Sequence, residues 1–150
     1  MSTRSQVDFY ESKEKMEEFK PTARLYHHWD GYPSGRLPDI KKAVDMANEV
    51  YINTSGYEYR KDIGKGKDSY YMGDLAAFYV LAHKQGPGNV EIDNFLHSDI
   101  DYLYQVFPST QGIKVRILET KSGFWDDTDI KNTNVVATNT LKTLLNKYKD

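Results

Sequence analysis

Apolar and polar residues alternate over residues 5–10, with Val7 and Phe9 on one side and Gln6 and Asp8 on the other. That period of two predicts a short strand. Residues 11–20 break the alternation with Glu11, Lys13, Glu14, Lys15, Glu17, Glu18 and Lys20, a charge-dense connection closed by Pro21. Residues 22–29 restore it and predict a second strand, antiparallel to the first. Pro38 then opens a predicted helix in which Ile40, Ala43, Val44, Ala47, Val50 and Tyr51 follow the i, i+3, i+4, i+7 spacing of one buried face. A proline costs little in a first turn, and Asp39 suits the positive end of a helix. Residues 53–73 carry Gly56, Gly64, Gly66 and Gly73 without a period and read as a long loop. Asp74 is the expected cap of a second helix over 75–85, stopped by Gly86-Pro87-Gly88. Its run Ala76-Ala77-Phe78-Tyr79-Val80-Leu81-Ala82 is apolar nearly all round, so it is expected to be the most buried helix.

Three further strands are predicted over 90–95, 100–107 and 113–120, the last two joined by Pro108-Ser109-Thr110-Gln111-Gly112 as a hairpin. Tyr102, Tyr104 and Val106 share one face, as do Ile113, Val115 and Ile117 against Lys114 and Arg116. Residues 121–134 are polar and loop-like, and Leu141, Leu144, Leu145 and Tyr148 mark a C-terminal helix. Strands and helices in mixed order, with two hairpins, predict a single α+β domain over 1–150: a mainly antiparallel sheet of about five strands carrying two or three helices. Leu25, Val44, Ala47, Phe78, Leu81, Val115 and Ile117 are its expected core.

Composition narrows the chemistry. One hundred and fifty residues suffice for a single core without staples. No cysteine is present, which removes disulfides, thiolate metal sites and cysteine nucleophiles. A net charge of −2 gives no global basic footprint, so nucleic-acid binding would need a local patch. No apolar run approaches 18 residues, and no apolar segment follows Arg4, so neither a membrane span nor a signal peptide is expected. The expected compartment is cytoplasmic.

The stretch from Leu25 through His27-His28-Trp29-Asp30-Gly31-Tyr32-Pro33 to Gly35 gathers two histidines, a tryptophan, an acid and several turn formers. Glycine and proline fix a tight backbone path there. On a strand, Arg24, Tyr26, His28 and Asp30 face one way and Leu25, His27 and Trp29 the other. The two histidines therefore cannot share one metal ion, and no metal or cofactor is expected. Two roles remain open for this corner. In the first, Asp30 with Gly31, Tyr32 and Pro33 forms a structural turn capped by the Asp30 carboxylate, and one histidine lies hydrogen-bonded beneath the helices. In the second, His28 and Asp30 with Arg24, or Arg4, form a catalytic acid–base group. A separate binding candidate is the basic, tyrosine-rich loop holding Tyr57, Tyr59, Arg60, Lys61, Lys65, Lys67 and Tyr70, a composition suited to single-stranded nucleic acid. Trp125-Asp126-Asp127-Thr128-Asp129 lacks the calcium-loop spacing and reads as a solvated acidic turn. Tyr102 and Tyr104 beside Lys114 and Arg116 either form a stacking platform or pack against a helix.

The opening Met1-Ser2-Thr3-Arg4-Ser5 and the segment from Leu25 to Pro33 resemble a group of small phage, archaeal-virus and prokaryotic proteins. These begin Met-Gly/Ser-Thr-Arg and carry an aromatic-X-His/Gln-Trp/Phe-Asp-Gly-Tyr-Pro signature on a second strand. The resemblance covers about the first forty residues; residues 53–73 and those from 121 onward look individual to this chain. It implies a kind of genome and a shared corner rather than a reaction. The expected function is a viral or mobile-element accessory protein, in the host cytoplasm if viral, that binds a macromolecular partner, with protein ahead of nucleic acid. The alternatives are a small hydrolase or nuclease using His28 and Asp30 with a nearby arginine, single-strand binding through the loop 57–71, and a homo-oligomeric structural component.

Overall fold

The structure is a computed structural model that describes residues 3–53 (the last three by backbone alone), 71–120 and 134–149. Its strands are β1 (Ser5–Phe9), β2 (Ala23–His27), β3 (Glu91–Asp93), β4 (Tyr102–Ser109), β5 (Gly112–Glu119) and β6 (Asn134–Thr140). They form one sheet in the order β3-β2-β1-β4-β5-β6. Every neighbouring pair is antiparallel except β1 with β4, which run parallel. The helices are α1 (Lys13–Glu17), α2 (Pro33–Asn53), α3 (Met72–His83) and α4 (Leu141–Lys147). The α+β class holds, with a sixth strand, one parallel pairing and a fourth helix beyond expectation. The sixth strand is β6, where Val135 and Val136 sit among polar residues. A register shift opposite Ile117 and Leu118 blurs the alternation that would have marked it.

Several predicted boundaries move for local reasons. The helix read as opening at Pro38 begins at Pro33, because the Tyr32 carbonyl accepts the Gly35 and Arg36 N–H groups at 2.8 and 2.9 Å and closes the first turn five residues earlier. Pro38 therefore lies inside α2, on its exposed side. Asp74 does not cap α3: the cap is Tyr71, without a side-chain bond, and Asp74 falls in the first turn. The charge-dense connection contains α1, capped by Ser12 Oγ, which accepts the Lys15 N–H at 3.2 Å and lets Met16 reach the interior. The hairpin ladder runs to Ser109 opposite Gly112, leaving Thr110-Gln111 as the loop. Residues 54–70 and 121–133 lie outside the described residues. With them lie Tyr57, Tyr59, Arg60, Lys61, Lys65, Lys67 and Tyr70, and the acidic turn at Trp125.

α2, α3 and α4 cover one face of the sheet. Val7, Phe9, Leu25, Tyr104, Val106, Val115 and Ile117 meet Leu37, Ile40, Ala43, Ala47, Leu75, Ala76, Tyr79 and Leu144 there. Val44 and Phe78 pack partly against this core. Leu81 does not; it is 70% exposed, because α3 buries only one side despite its apolar composition. Val50 is likewise at the surface.

The other face carries Gln6 and Asp8, and both are buried. All five residues of β1 are buried, since two strands lie on one side of it and three on the other, and both faces of the sheet are covered there. Tyr26, Ile100, Leu103 and Leu118 cluster there with Phe19 and Leu96, and Tyr10, Met16 and Phe107 form a smaller group. Between them the register lines up Arg24, Asp8, Gln105 and Arg116 across four strands. Tyr104 pairs with Ile117 on the helix-covered face, so Tyr102 and Tyr104 form no platform with Lys114 and Arg116.

Candidate functional site

The corner after β2 is built on backbone approach. Gly31 donates its N–H to the Thr3 carbonyl at 2.9 Å, and its own carbonyl accepts the Tyr104 hydroxyl. A Cβ at Gly31 would lie 2.8 Å from that Thr3 oxygen, and one at Gly35 would lie 2.7 Å from the Asp30 oxygen, so both positions require glycine. Asp30 adopts φ +58°, the left-handed conformation aspartate tolerates better than most residues. Its carboxylate makes no hydrogen bond or ion pair among the described residues. The turn is held instead by its carbonyl, which accepts Arg36 Nε at 3.0 Å.

Strand alternation sends the adjacent histidines to opposite faces. His27 goes inward, 2% exposed, and meets Arg36 and Tyr79. Arg36 Nη1 donates to His27 Nδ1 at 2.7 Å and pairs with the Asp39 carboxylate at 2.8 Å. Arg36 Nη1 also lies 3.2 Å from His27 Nε2, and the Tyr79 hydroxyl lies 2.8 Å from that same nitrogen. Burial, then the neighbouring Arg36 charge, holds the His27 imidazole down at about 3, so it stays neutral. Burial likewise pushes the Tyr79 hydroxyl well above its ordinary range. His83 joins through Nε2 on the Asp39 carbonyl at 2.8 Å. These groups lock the α2 and α3 helices to the corner, and their hydrogen bonds are spent on one another.

His28 goes outward and pairs with Glu91 of β3, not with Asp30. Arg24 turns to Asp8, its Nε 3.6 Å from Oδ2. His28, Asp30 and Arg24 therefore share no hydrogen bond or ion pair with one another. What assembles around His28 is a row of rings. Phe95 lies 4.5 Å from His97, which stacks on Tyr26 at 3.8 Å; Tyr26 meets His28 edge-on at 4.7 Å, and His28 lies 6.1 Å from Trp29. Tyr26 anchors the row, buried and bonded through its hydroxyl to Asp99 at 2.9 Å, which with burial raises its pKa far above the usual value. The two ends are open: Trp29 is 43% exposed and Phe95 52%. Carboxylates edge the row, with Glu91 on His28, Asp93 on His97, and Asp99 3.4 Å from Arg4.

Beneath this row the buried polar line begins. Gln6 accepts the His97 N–H at 3.0 Å and donates to Asp8 at 2.9 Å. Gln105 donates to the Tyr10 hydroxyl and accepts from Arg116 Nε at 2.6 Å. Sequence reasoning missed Arg36, Glu91, Asp93 and Tyr79. Only Arg36, an arginine in the first turn of a helix directly after the corner, left a local signal. No protein-family model, curated protein or solved structure matches this chain.

Proposed function

We propose that this chain acts by binding a macromolecular partner, a protein, at the β3 end of its sheet, as an accessory factor of a viral or mobile genome. The observation that carries the reading is the ring row, ending in half-exposed Trp29 and Phe95 beside the exposed Ile92 of an edge strand. Large aromatic side chains held rigid by their neighbours are the usual anchors of protein interfaces, and truncating one costs binding about 2 kcal/mol or more. The carboxylates of Glu91, Asp93 and Asp99 oppose a phosphate backbone at the same place. The resemblance of the N-terminal forty residues supports the viral or mobile-element setting.

One observation favours a second reading, a small hydrolase. The His28–Glu91 pair is an imidazole–carboxylate unit at the surface, the arrangement a general base uses. Arg24 is committed to Asp8 in the interior, so an arginine serving that chemistry would be Arg4. Two clefts among the described residues, of 410 and 330 Å³ beside α1 and between α2 and α4, are lined without a histidine.

A photo-crosslinking residue in place of Ile92, compared with one in place of Lys142 on α4, tests the binding reading in the cell that makes the protein. Protein adducts from position 92 and none from 142 are expected. Nucleic-acid adducts, or none, at position 92 would overturn it.

A further inference from the structure

We infer that the segment received at the β3 edge is extended and basic, with two cationic residues flanking one apolar residue, and that it adds to the sheet as a further strand. This rests on the protein-binding reading above and supplies its chemistry.

β3 ends the sheet. Its three residues pair only with β2, through Arg24 with Asp93, Leu25 with Ile92 and Tyr26 with Glu91, so its outer backbone edge carries no strand among the described residues. An added strand would meet side chains in alternation. Ile92 projects on the side of Leu25 and is 74% exposed. Glu91 and Asp93 project on the other side, two residues apart, or about 7 Å along a strand. Residues i and i+2 of an incoming strand have the same spacing, with residue i+1 on the side of Ile92.

The two acids retain acceptor capacity. Glu91 uses Oε1 for His28, and Asp93 uses Oδ2 for His97. Glu91 Oε2 and Asp93 Oδ1 take no hydrogen bond among the described residues and are the acceptors a lysine or arginine would find. The exposed Trp29 and Phe95 rings flank them and attract the same cations through their faces. The β3 edge of a second copy fits badly. Antiparallel pairing of two β3 edges centred on Ile92 would set Glu91 of each copy opposite Asp93 of the other, and like charges directly opposite destabilise a strand pair. The edge is thus protected against itself while open to a basic strand.

Amide spectra of the labelled full chain, titrated with three probes, decide the matter: the capped peptides Thr-Lys-Val-Lys-Thr and Thr-Glu-Val-Glu-Thr, and a short oligothymidylate. The lysine peptide should shift the amides of Glu91, Ile92, Asp93 and Phe95 and the Trp29 indole. It should bind about tenfold tighter than the glutamate peptide and lose that margin at high salt. The double variant Glu91→Lys, Asp93→Lys should reverse the preference; should it fail to fold, Glu91→Gln alone should narrow it. Equal binding of both peptides, binding of neither, or occupation of these amides by the oligothymidylate would overturn the inference. A protein crosslink at position 92 without a lysine preference would leave the binding reading standing and remove only this one. Loss of both would remove both.

Discussion

Asp8 lies at the centre of the sheet with protein on every side, and replacing it with asparagine isolates what its charge does there. Burial pushes its carboxyl up from 3.8 to about 6; the Arg24 guanidinium 3.6 Å away, the Gln6 amide at 2.9 Å and the Tyr10 hydroxyl at 3.4 Å pull it back only in part. A rise of that size corresponds to about 3 kcal/mol of differential stability. The folded state holds the Asp8 proton more tightly than the unfolded state does. The contribution is therefore complete below about pH 4, drains between about pH 4 and 6 as the unfolded chain releases its proton first, and is gone above that. Asp8→Asn has nothing to titrate at this position. Urea unfolding of both proteins across pH 3.5 to 7.5 gives a stability difference in which the other titrating groups largely cancel. The wild type should lose about 3 kcal/mol relative to Asp8→Asn over that range. A difference that stays flat, or grows in favour of the wild type as pH rises, would mean that the Arg24 pair outweighs burial, and the reasoning would fail.

His27 should behave in the opposite sense. Its folded value of about 3 lies below the ordinary 6.5, so its contribution is present above pH 6.5 and lost on acidification; relative to His27→Gln, the wild type should drop by about 4–5 kcal/mol between pH 7 and 3. A flat difference in urea unfolding would show that the imidazole ionises inside the fold. Asp30 should respond to backbone rather than charge: at φ +58°, Asp30→Gly should match or exceed wild-type stability, whereas Asp30→Val should lose about 1–2 kcal/mol. Equal losses in the two variants, measured by thermal melting, would restore the carboxylate as the turn's cap.

The elements legible in the sequence were those whose apolar residues recur at a local period. The antiparallel pairing of β1 with β2, the β4–β5 hairpin, the apolar face of α2 and the short α4 all follow from local periodicity. That signal failed where tertiary cover changed its meaning. Gln6 and Asp8 alternate with apolar residues as solvent-facing positions would, yet both are buried, because the segment after β3 and α1 close over the second face. Leu81 errs the other way: α3 is apolar enough to be enclosed, but only one side of it meets the sheet. The site was legible as a place and not as a set of partners. The corner is where the turn residues put it, but the acid for His28 comes from Glu91, 63 residues later, and the stacking partner of Tyr26 from His97. Neither leaves a trace in the local pattern.

The adjacent histidines carry the functional argument further than either does alone. His27 is neutral, buried and bonded by Arg36 and Tyr79, so its loss would loosen the fold from within. His28, one residue on, stands at the surface between two rings with Glu91, and its loss would leave the helices where they are. The corner thus joins a rigid interior to an exposed row of rings across a single peptide bond. Gly31 and Gly35 keep the backbone too close for that junction to relax. Rigidity of this kind lowers the entropy lost when a partner docks, because the anchoring rings are already in place. The proposed binding ledge rests on anchored aromatic rings, a strand edge without a further strand among the described residues, and a charge pattern that a second β3 edge does not match.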